Sequence, residues 1–409
     1  MLQYIPHITY KDSAKMSNQA FKDIFAFIRE LYTMPEGFIP LHEPRFKGNE
    51  KQYLMECIES GFVSSVGAFV NAFEEQIAAF CGSKYAIATT NGTSALHASL
   101  YALGANATCE VITQPLSFIA TSNAIAYTGA TPVYIDVDME SMSLSPIALQ
   151  SFLQKYAFKQ QDGTTINKKS GKILKACVPM HTFGHPARIQ EIKAICDEWN
   201  ILLIEDAAES LGSYIIDNQH KIHTGVIGIC GILSFNGNKT ITCGGGGAIL
   251  TQDEPLAKRL KHLTTTAKIP HPYEYNHDEL GFNYRLPNLN AALCVAQIEQ
   301  LPAFLADKNN IAQAYKSFFS SIANIEFISA RDSTQPNFWL NAIRLPSQKM
   351  RDEFLEQSNA VGIMARPIWK LNNECSAYRH CQSDDLTNAK ALQASIVNLP
   401  SSVRIHTKP

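Results

Sequence analysis

From about residue 83 to residue 250, short apolar runs alternate with stretches whose apolar positions fall three and four apart. Runs at 85–89, 111–113, 132–138, 176–179, 201–204, 229–235 and 248–251 are near-continuous in Val, Ile, Leu and Ala. That composition marks strands buried on both faces, whereas the intervening 3.6-residue period marks amphipathic helices. Strand and helix in alternation predict an α/β fold, a mostly parallel central sheet with helices on both faces. Upstream, Phe21, Ile24, Phe25, Ile28, Leu31 and Tyr32 share one helical stripe that Pro35 and Gly37 stop. That stripe is expected to pack on the main domain or on a second subunit, since it would otherwise face water. Further helices are expected through Tyr53, Leu54, Cys57 and Ile58, and through Phe73, Ile77 and Phe80. Downstream, Leu289, Ala292, Leu293 and Ala296 predict a helix that Pro302 separates from the next, through Ile311 and Tyr315. Residues 1–16 read as a loose start, and the polar, glycine-punctuated stretch 159–172 as a surface hairpin or loop. The expected division is an N-terminal arm and helix at 1–40, a large domain at 41–301 and a small α+β domain at 302–409.

The chemistry lies where the strands end. The apolar run at 201–204 stops in Glu205 and Asp206, and the run at 229–235 leads into Asn236, Gly237, Asn238, Lys239 and Thr240. Open α/β sheets bind ligands outside the carboxyl ends of their strands, so one edge should present an acid and a lone lysine. A lysine among glycines and small polar residues is placed as a partly desolvated amine of the kind that forms Schiff bases. At the same edge, Asn91, Gly92, Thr93 and Ser94 open a helix. They form either a phosphate site built of free N–H groups and hydroxyls or a simple cap on Thr93 or Ser94. Phe118, just past a strand interrupted by Pro115, can stack on a flat ligand or pack in the core. His181, at another strand end, either meets substrate or plays a structural part. The glycine run at 244–247 is no dinucleotide fingerprint, because a strand rather than a helix follows it.

The segments IEDAAESLGS, SFNGNKTIT and GGGGAILT make the chain similar to the sugar-nucleotide aminotransferases of the DegT type, a branch of the fold-type I pyridoxal-phosphate (PLP) enzymes. The likeness runs from about residue 38 to residue 400 and is strongest to enzymes of the legionaminic acid and bacillosamine routes that aminate UDP-linked 4-keto sugars. It implies PLP as cofactor, with Asp206 against the pyridine nitrogen and Lys239 on the aldehyde carbon. A unit pair about 4 Å apart at an effective dielectric near 20 is worth roughly 4 kcal/mol, about three pKa units. Such a pair holds the ring cationic. The resemblance further implies that Thr93, Ser94 and Ser234 hold the phosphate, that Phe118 covers the ring, and that Asn283 of the NYR element reaches the phosphate in a neighbouring subunit. The active site would then be completed in a homodimer. On the substrate side Ser65, His181, Glu209, Asn236, Tyr284 and Arg366 are candidates, although a surface role is the ordinary one for an arginine such as Arg366. Glu209 departs from the Gln or His of many relatives. An ionised carboxylate would repel the cofactor's phenolate, so Glu209 is expected either to hold a proton or to turn toward substrate.

The implied activity converts the C4 ketone of a nucleotide-linked 4-keto-6-deoxysugar, UDP-2-acetamido-2,6-dideoxy-hexos-4-ulose in first place, to an amine. Glutamate is the donor and bacterial surface-glycan or nonulosonic acid synthesis the setting. A GDP-4-keto-6-deoxymannose aminotransferase of the perosamine type competes with it. A PLP dehydratase of the same fold is disfavoured because those relatives carry histidine where this chain has Lys239. A non-catalytic PLP-fold binding protein is disfavoured by the intact set of Asp206, Lys239, Thr93 and Asn283. Composition narrows the rest. A net charge of −2 gives no basic footprint for nucleic acid. Ten scattered cysteines without a CxxC pair suit buried thiols rather than disulfides or a metal site. No signal-peptide pattern opens the chain, and no apolar run approaches the roughly 18 residues of a membrane span. A cytoplasmic protein is expected.

Overall fold

Consecutive residues of the central strands lie in different cores. Val111 and Ile204 pack on one face of the sheet with Leu96, Leu100 and Leu260. Their neighbours Ile112 and Leu203 pack on the other with Leu149, Phe152 and Ile192. Strand side chains alternate between faces, so apolar runs without a polar break fold only where both faces are covered. The computed structural model describes the backbone of residues 13–404 and side chains from residue 19 onward.

Seven strands form the main path of a nine-stranded central sheet: β1 (Tyr85–Thr89), β2 (Cys109–Thr113), β3 (Thr131–Tyr134), β4 (Ile173–Val178), β5 (Leu202–Asp206), β6 (Cys230–Ser234) and β7 (Gly247–Thr251). Their order is β1-β7-β6-β5-β4-β2-β3. β7 is antiparallel to both neighbours, and the pairings among the other strands are parallel. β5 and β6 are adjacent, with Asp206 opposite Ile232, so both chains leave the sheet at one edge. The stretch read as a surface hairpin is a hairpin, Ala157–Lys159 with Thr165–Asn167. Its second arm is buried and pairs with the start of β4.

The N-terminal helix Ser13–Leu31 corrects one expectation. Phe21, Ile24, Phe25 and Ile28 pack neither on the main sheet nor on a free face but against Ile311, Tyr315, Phe354 and Val397. Phe21 meets Phe354 edge-on at 5.1 Å. These partners belong to a C-terminal layer whose antiparallel sheet runs Glu326–Phe327, Asn341–Arg344, Ile396–Leu399, Arg366–Pro367. Residues 1–12, most of the loose start, lie outside the described residues.

Pro302 corrects a second. It lies inside one continuous 32-residue helix, Asn288–Phe319, rather than between two. A proline there forfeits one hydrogen bond to the preceding turn. Burial on both sides outweighs that cost, with Ala291, Val295 and Leu301 in one core and Ile311, Tyr315 and Phe319 in another. The expected boundary at 302 therefore falls within a helix that joins the two cores. This helix is long and apolar enough for a membrane span by composition, but its apolar side fills the two cores. Nine of the ten cysteines are buried and free, and Cys375 is exposed.

A small third sheet matters most for the site. Thr334–Gln335 pairs antiparallel with Tyr214–Asp217, which in turn pairs with His220–His223. That pairing draws the C-terminal segment 334–339 across the ends of β5 and β6.

Candidate active site

A cavity of about 310 Å³ opens at the carboxyl edge of β5 and β6. Asp206 is the last residue of β5 and Lys239 sits in the turn after β6; both line it. The two acids that end β5 point to opposite sides of the sheet, as strand alternation requires, and serve different ends. Asp206 Oδ2 accepts from the Thr121 hydroxyl at 2.7 Å and Oδ1 from the Ala208 N–H at 3.2 Å. Glu205 is fully buried and accepts the N–H groups of Gly225, Ile227 and Gly228 at 2.7 to 2.8 Å. Burial alone would raise its pKa, but His181 and those amides overcome this and hold it below the ordinary carboxylate value.

His181 is the donor in that lock. Its Nδ1 accepts from the Ala187 N–H at 3.0 Å, which leaves Nε2 to carry the hydrogen toward Glu205 Oε2 at 3.1 Å. The ring is fully buried and does not line the cavity, so the structure gives it an architectural place rather than a substrate contact.

Lys239 Nζ lies 3.4 Å from Glu209 Oε1, and 4.1 Å from the centre of the Trp339 indole. Glu209 Oε2 accepts the Phe183 N–H at 2.9 Å. Burial pushes the Glu209 carboxyl up to about 7, against the pull of Lys239 and the Phe183 amide and with a further push from Asp206. Phe183 is held at φ 55°, and Gly184 beside it at φ 91°. A Cβ on Gly184 would fall 1.8 Å from Asn337 Oδ1, so the turn needs glycine both for conformation and for space.

The helix Gly92–Ala102 points its N-terminus at the cavity. Its cap is Asn91, whose side chain accepts the Ser94 N–H at 2.8 Å, and neither Thr93 nor Ser94 caps it. Thr93 and Ser234 line the cavity together. A Cβ on Gly92 would come within 3.1 Å of Ser234 Cβ, so glycine lets the helix end and the end of β6 approach closely. The resulting group of hydroxyls and helix-end amides suits a phosphate.

Of the residues expected at the site, the cavity brings together Thr93, Phe118, Asp206, Glu209, Ser234, Asn236 and Lys239. It does not include six others. Ser94 turns its hydroxyl to Thr90 at 3.3 Å. Asn283 is exposed and accepts from Arg285 Nε at 3.0 Å. Tyr284 stacks on Phe282 at 5.0 Å and bonds His97 at 3.0 Å. Ser65 lines a separate surface cleft with Lys268, His271 and Arg285. Arg366 is exposed on a strand of the small sheet. His181 is placed as above. Sequence reasoning missed Thr121, Trp339 and Trp369 as lining residues. The threonine of FIATSN had a findable signal in its position as the second residue of the helix Ala120–Tyr127, which follows β2. The tryptophans had none, because only tertiary packing brings them to this edge.

A strand order of 3-2-4-5-6-7-1 with the seventh strand reversed, and an acid and a lysine on one cavity at its carboxyl edge, define a PLP-dependent enzyme of fold type I. The family model for the DegT/DnrJ/EryC1/StrS aminotransferases matches residues 44–409, and the chain belongs to that family. It is 33% identical over 373 residues to the GDP-perosamine synthase of Caulobacter vibrioides, covering 89% of this chain and 93% of that protein. It is 34% identical over 332 residues to the putative pyridoxal phosphate-dependent aminotransferase EpsN of Bacillus subtilis, covering 81% of each. Among solved structures it resembles a DegT DnrJ EryC1 StrS aminotransferase from Brucella abortus (TM-score 0.78, 25% identity, 86% of this chain and 90% of that one). It shares its fold with Helicobacter pylori PseC (TM-score 0.78, 23% identity, 89% and 93%). The protein is thus a sugar-nucleotide aminotransferase that uses pyridoxal phosphate. The residues present fit that cofactor: a carboxylate for the ring nitrogen, an amine for the aldehyde carbon, and helix-end donors for the phosphate.

Proposed function

We propose that this protein replaces the C4 ketone oxygen of a nucleotide-linked 4-keto-6-deoxysugar with the amino group of glutamate, which leaves as the 2-oxo acid. The juxtaposition of Asp206 and Lys239 on one cavity carries this reading. When bound, the cofactor supplies the electron sink for both half-reactions. Asp206, fixed by Thr121 and the Ala208 amide, keeps the ring nitrogen protonated. Lys239 anchors the cofactor and, once displaced by the donor, carries a proton to the sugar C4 on its Nζ. Thr93 and Ser234 hold the phosphate, with Ser94 contributing from the same helix end. Phe118 covers the outer ring face. Glu209, raised by burial to about 7, takes up a proton more readily than an ordinary carboxylate, which eases its repulsion of the phenolic oxygen.

The protein works as a cytoplasmic homodimer in which Asn283 of one subunit completes the phosphate site of the other. Its exposed side chain in the isolated chain supports this. Ser65, Tyr284 and Arg366 are kept as substrate-side candidates on the same footing, since a partner surface would alter their surroundings.

The resemblance of IEDAAESLGS and SFNGNKTIT to UDP-sugar enzymes favours a UDP-linked 2-acetamido-2,6-dideoxy-4-ketose, made into a precursor of surface glycan. The naming of similar proteins from Caulobacter vibrioides, Escherichia coli O157:H7 and Vibrio cholerae as GDP-perosamine synthases favours GDP-4-keto-6-deoxymannose as a second reading. Purified enzyme given glutamate and a panel of UDP-, GDP- and dTDP-linked 4-ketosugars decides between them. Fastest amination of the UDP compound supports the first reading and of the GDP compound the second. Amination of none overturns the activity.

A further inference from the structure

The tryptophan above the lysine is held from every side. The Trp339 indole Nε1 donates to Asn238 O at 2.6 Å, tying the ring to the residue before Lys239. Its backbone N–H donates to Asn337 Oδ1 at 2.8 Å. The Asn337 amide nitrogen donates in turn to Glu209 O and Leu211 O, both at 2.9 Å, and to Thr240 Oγ1 at 3.3 Å. The Trp339 carbonyl accepts from the buried Lys308 Nζ at 3.2 Å, and Lys308 also donates to Ser401 O at 2.8 Å. One asparagine therefore fixes Glu209, the lysine turn and the tryptophan relative to one another. The ring is almost fully buried and presents its face, not its edge or its N–H, to the Lys239 amine.

An aromatic face carries negative potential, which favours an ammonium group over it and does little for a neutral amine. The carboxylate of Glu209 faces the same Nζ from 3.4 Å. We infer that Trp339 is a positioning residue for this reaction: with Glu209 it forms a two-sided rest for the protonated amine of Lys239 during the part of the cycle in which the lysine is free. In that part of the cycle the lysine takes up a proton, must hold it in place until the sugar carbon receives it, and must stay out of solvent, and the indole provides for both. This rests on Lys239 being the cofactor's anchor.

The test uses the holoenzyme converted by glutamate to the pyridoxamine form, in which Lys239 is released. The rate at which isotopically coded acetic anhydride labels Lys239 at pH 8 is read by peptide mass spectrometry. Trp339→Leu is expected to label about fivefold faster than wild type, and Trp339→Phe within about twofold. Fluorinated tryptophans placed at position 339 alone keep the shape while draining the ring's potential, so labelling should rise stepwise with the number of fluorines. That series also serves if Trp339→Leu fails to fold. Labelling indifferent to fluorination overturns the inference while leaving the activity standing. Failure of wild type to carry its cofactor on Lys239 is a separate result, which would remove the premise.

Discussion

Thr121 Oγ1 donates to Asp206 Oδ2 across 2.7 Å, both groups buried at the edge of the sheet. The threonine hydroxyl and the Ala208 amide together leave the carboxylate one orientation, facing the cavity. A hydrogen bond to a charged group is worth about 1.5 to 3 kcal/mol. Thr121→Val should therefore slow the glutamate half-reaction by roughly tenfold or more, with the fold retained. Asp206→Asn removes the charge itself, about 4 kcal/mol of attraction, and should cost on the order of a thousandfold. Stopped-flow spectra of the cofactor measure both, and equal rates for Thr121→Val and wild type would rule out the orienting role.

Glu209 gives the apoprotein a pH-dependent stability. Its carboxyl is raised from 4.5 to about 7, so the folded chain binds the proton more tightly than the unfolded one. The resulting stabilisation is full below pH 4.5 and is lost as the pH rises toward 7, amounting to about 3 kcal/mol at about 1.4 kcal/mol per unit. Glu209→Gln carries no such proton. Relative to wild type, its denaturation midpoint should rise between pH 5 and pH 8. Parallel pH profiles for the two proteins would show that Glu209 titrates normally.

His181 should matter for folding and little for substrate. Removing it takes one hydrogen-bond donor from the buried Glu205 and leaves the Ala187 N–H unpaired. A buried hydrogen bond to a charged group of this kind is worth about 1.5 to 3 kcal/mol. Because Glu205 sits below its ordinary pKa, its contribution is present above that value and fades as the pH falls. His181→Ala is expected to melt well below wild type while the KM for the sugar nucleotide stays within about twofold. A large rise in KM with unchanged melting would restore the substrate role that the sequence left open.

Pro302→Ala restores an N–H in the middle of Asn288–Phe319. The gain of a helical hydrogen bond is partly offset by a more flexible unfolded chain. Urea unfolding should show a net stabilisation of about 1 kcal/mol with an unchanged slope; destabilisation would mean that the proline's ring packing matters more than the missing bond.

The seven strands were legible because burial on both faces writes itself into sequence as unbroken apolar runs, and the edge chemistry because Asp206 ends one such run and Lys239 follows another in the next turn. What failed shares one cause. Pro302 is locally a helix breaker, yet cores on both sides of it hold the helix together. The N-terminal stripe shows how much apolar surface must be covered but not by what, and its cover lies some 300 residues away at Ile311 and Phe354. Trp339 reaches Lys239 through long-range contacts, the pairing of Thr334–Gln335 with Tyr214–Asp217 and the bonds from Trp339 to Asn238 and Asn337. Local pattern states what a segment needs, and long-range pairing decides who supplies it.

The most direct measurement is the covalent address of the cofactor. Borohydride reduction of the purified yellow protein, followed by peptide mapping, should place a reduced phosphopyridoxyl group on Lys239, and Lys239→Ala should remain unlabelled there. A label on Lys308 or any other lysine, or no retained cofactor at all, would contradict the pairing of Asp206 and Lys239 on which the proposed chemistry depends.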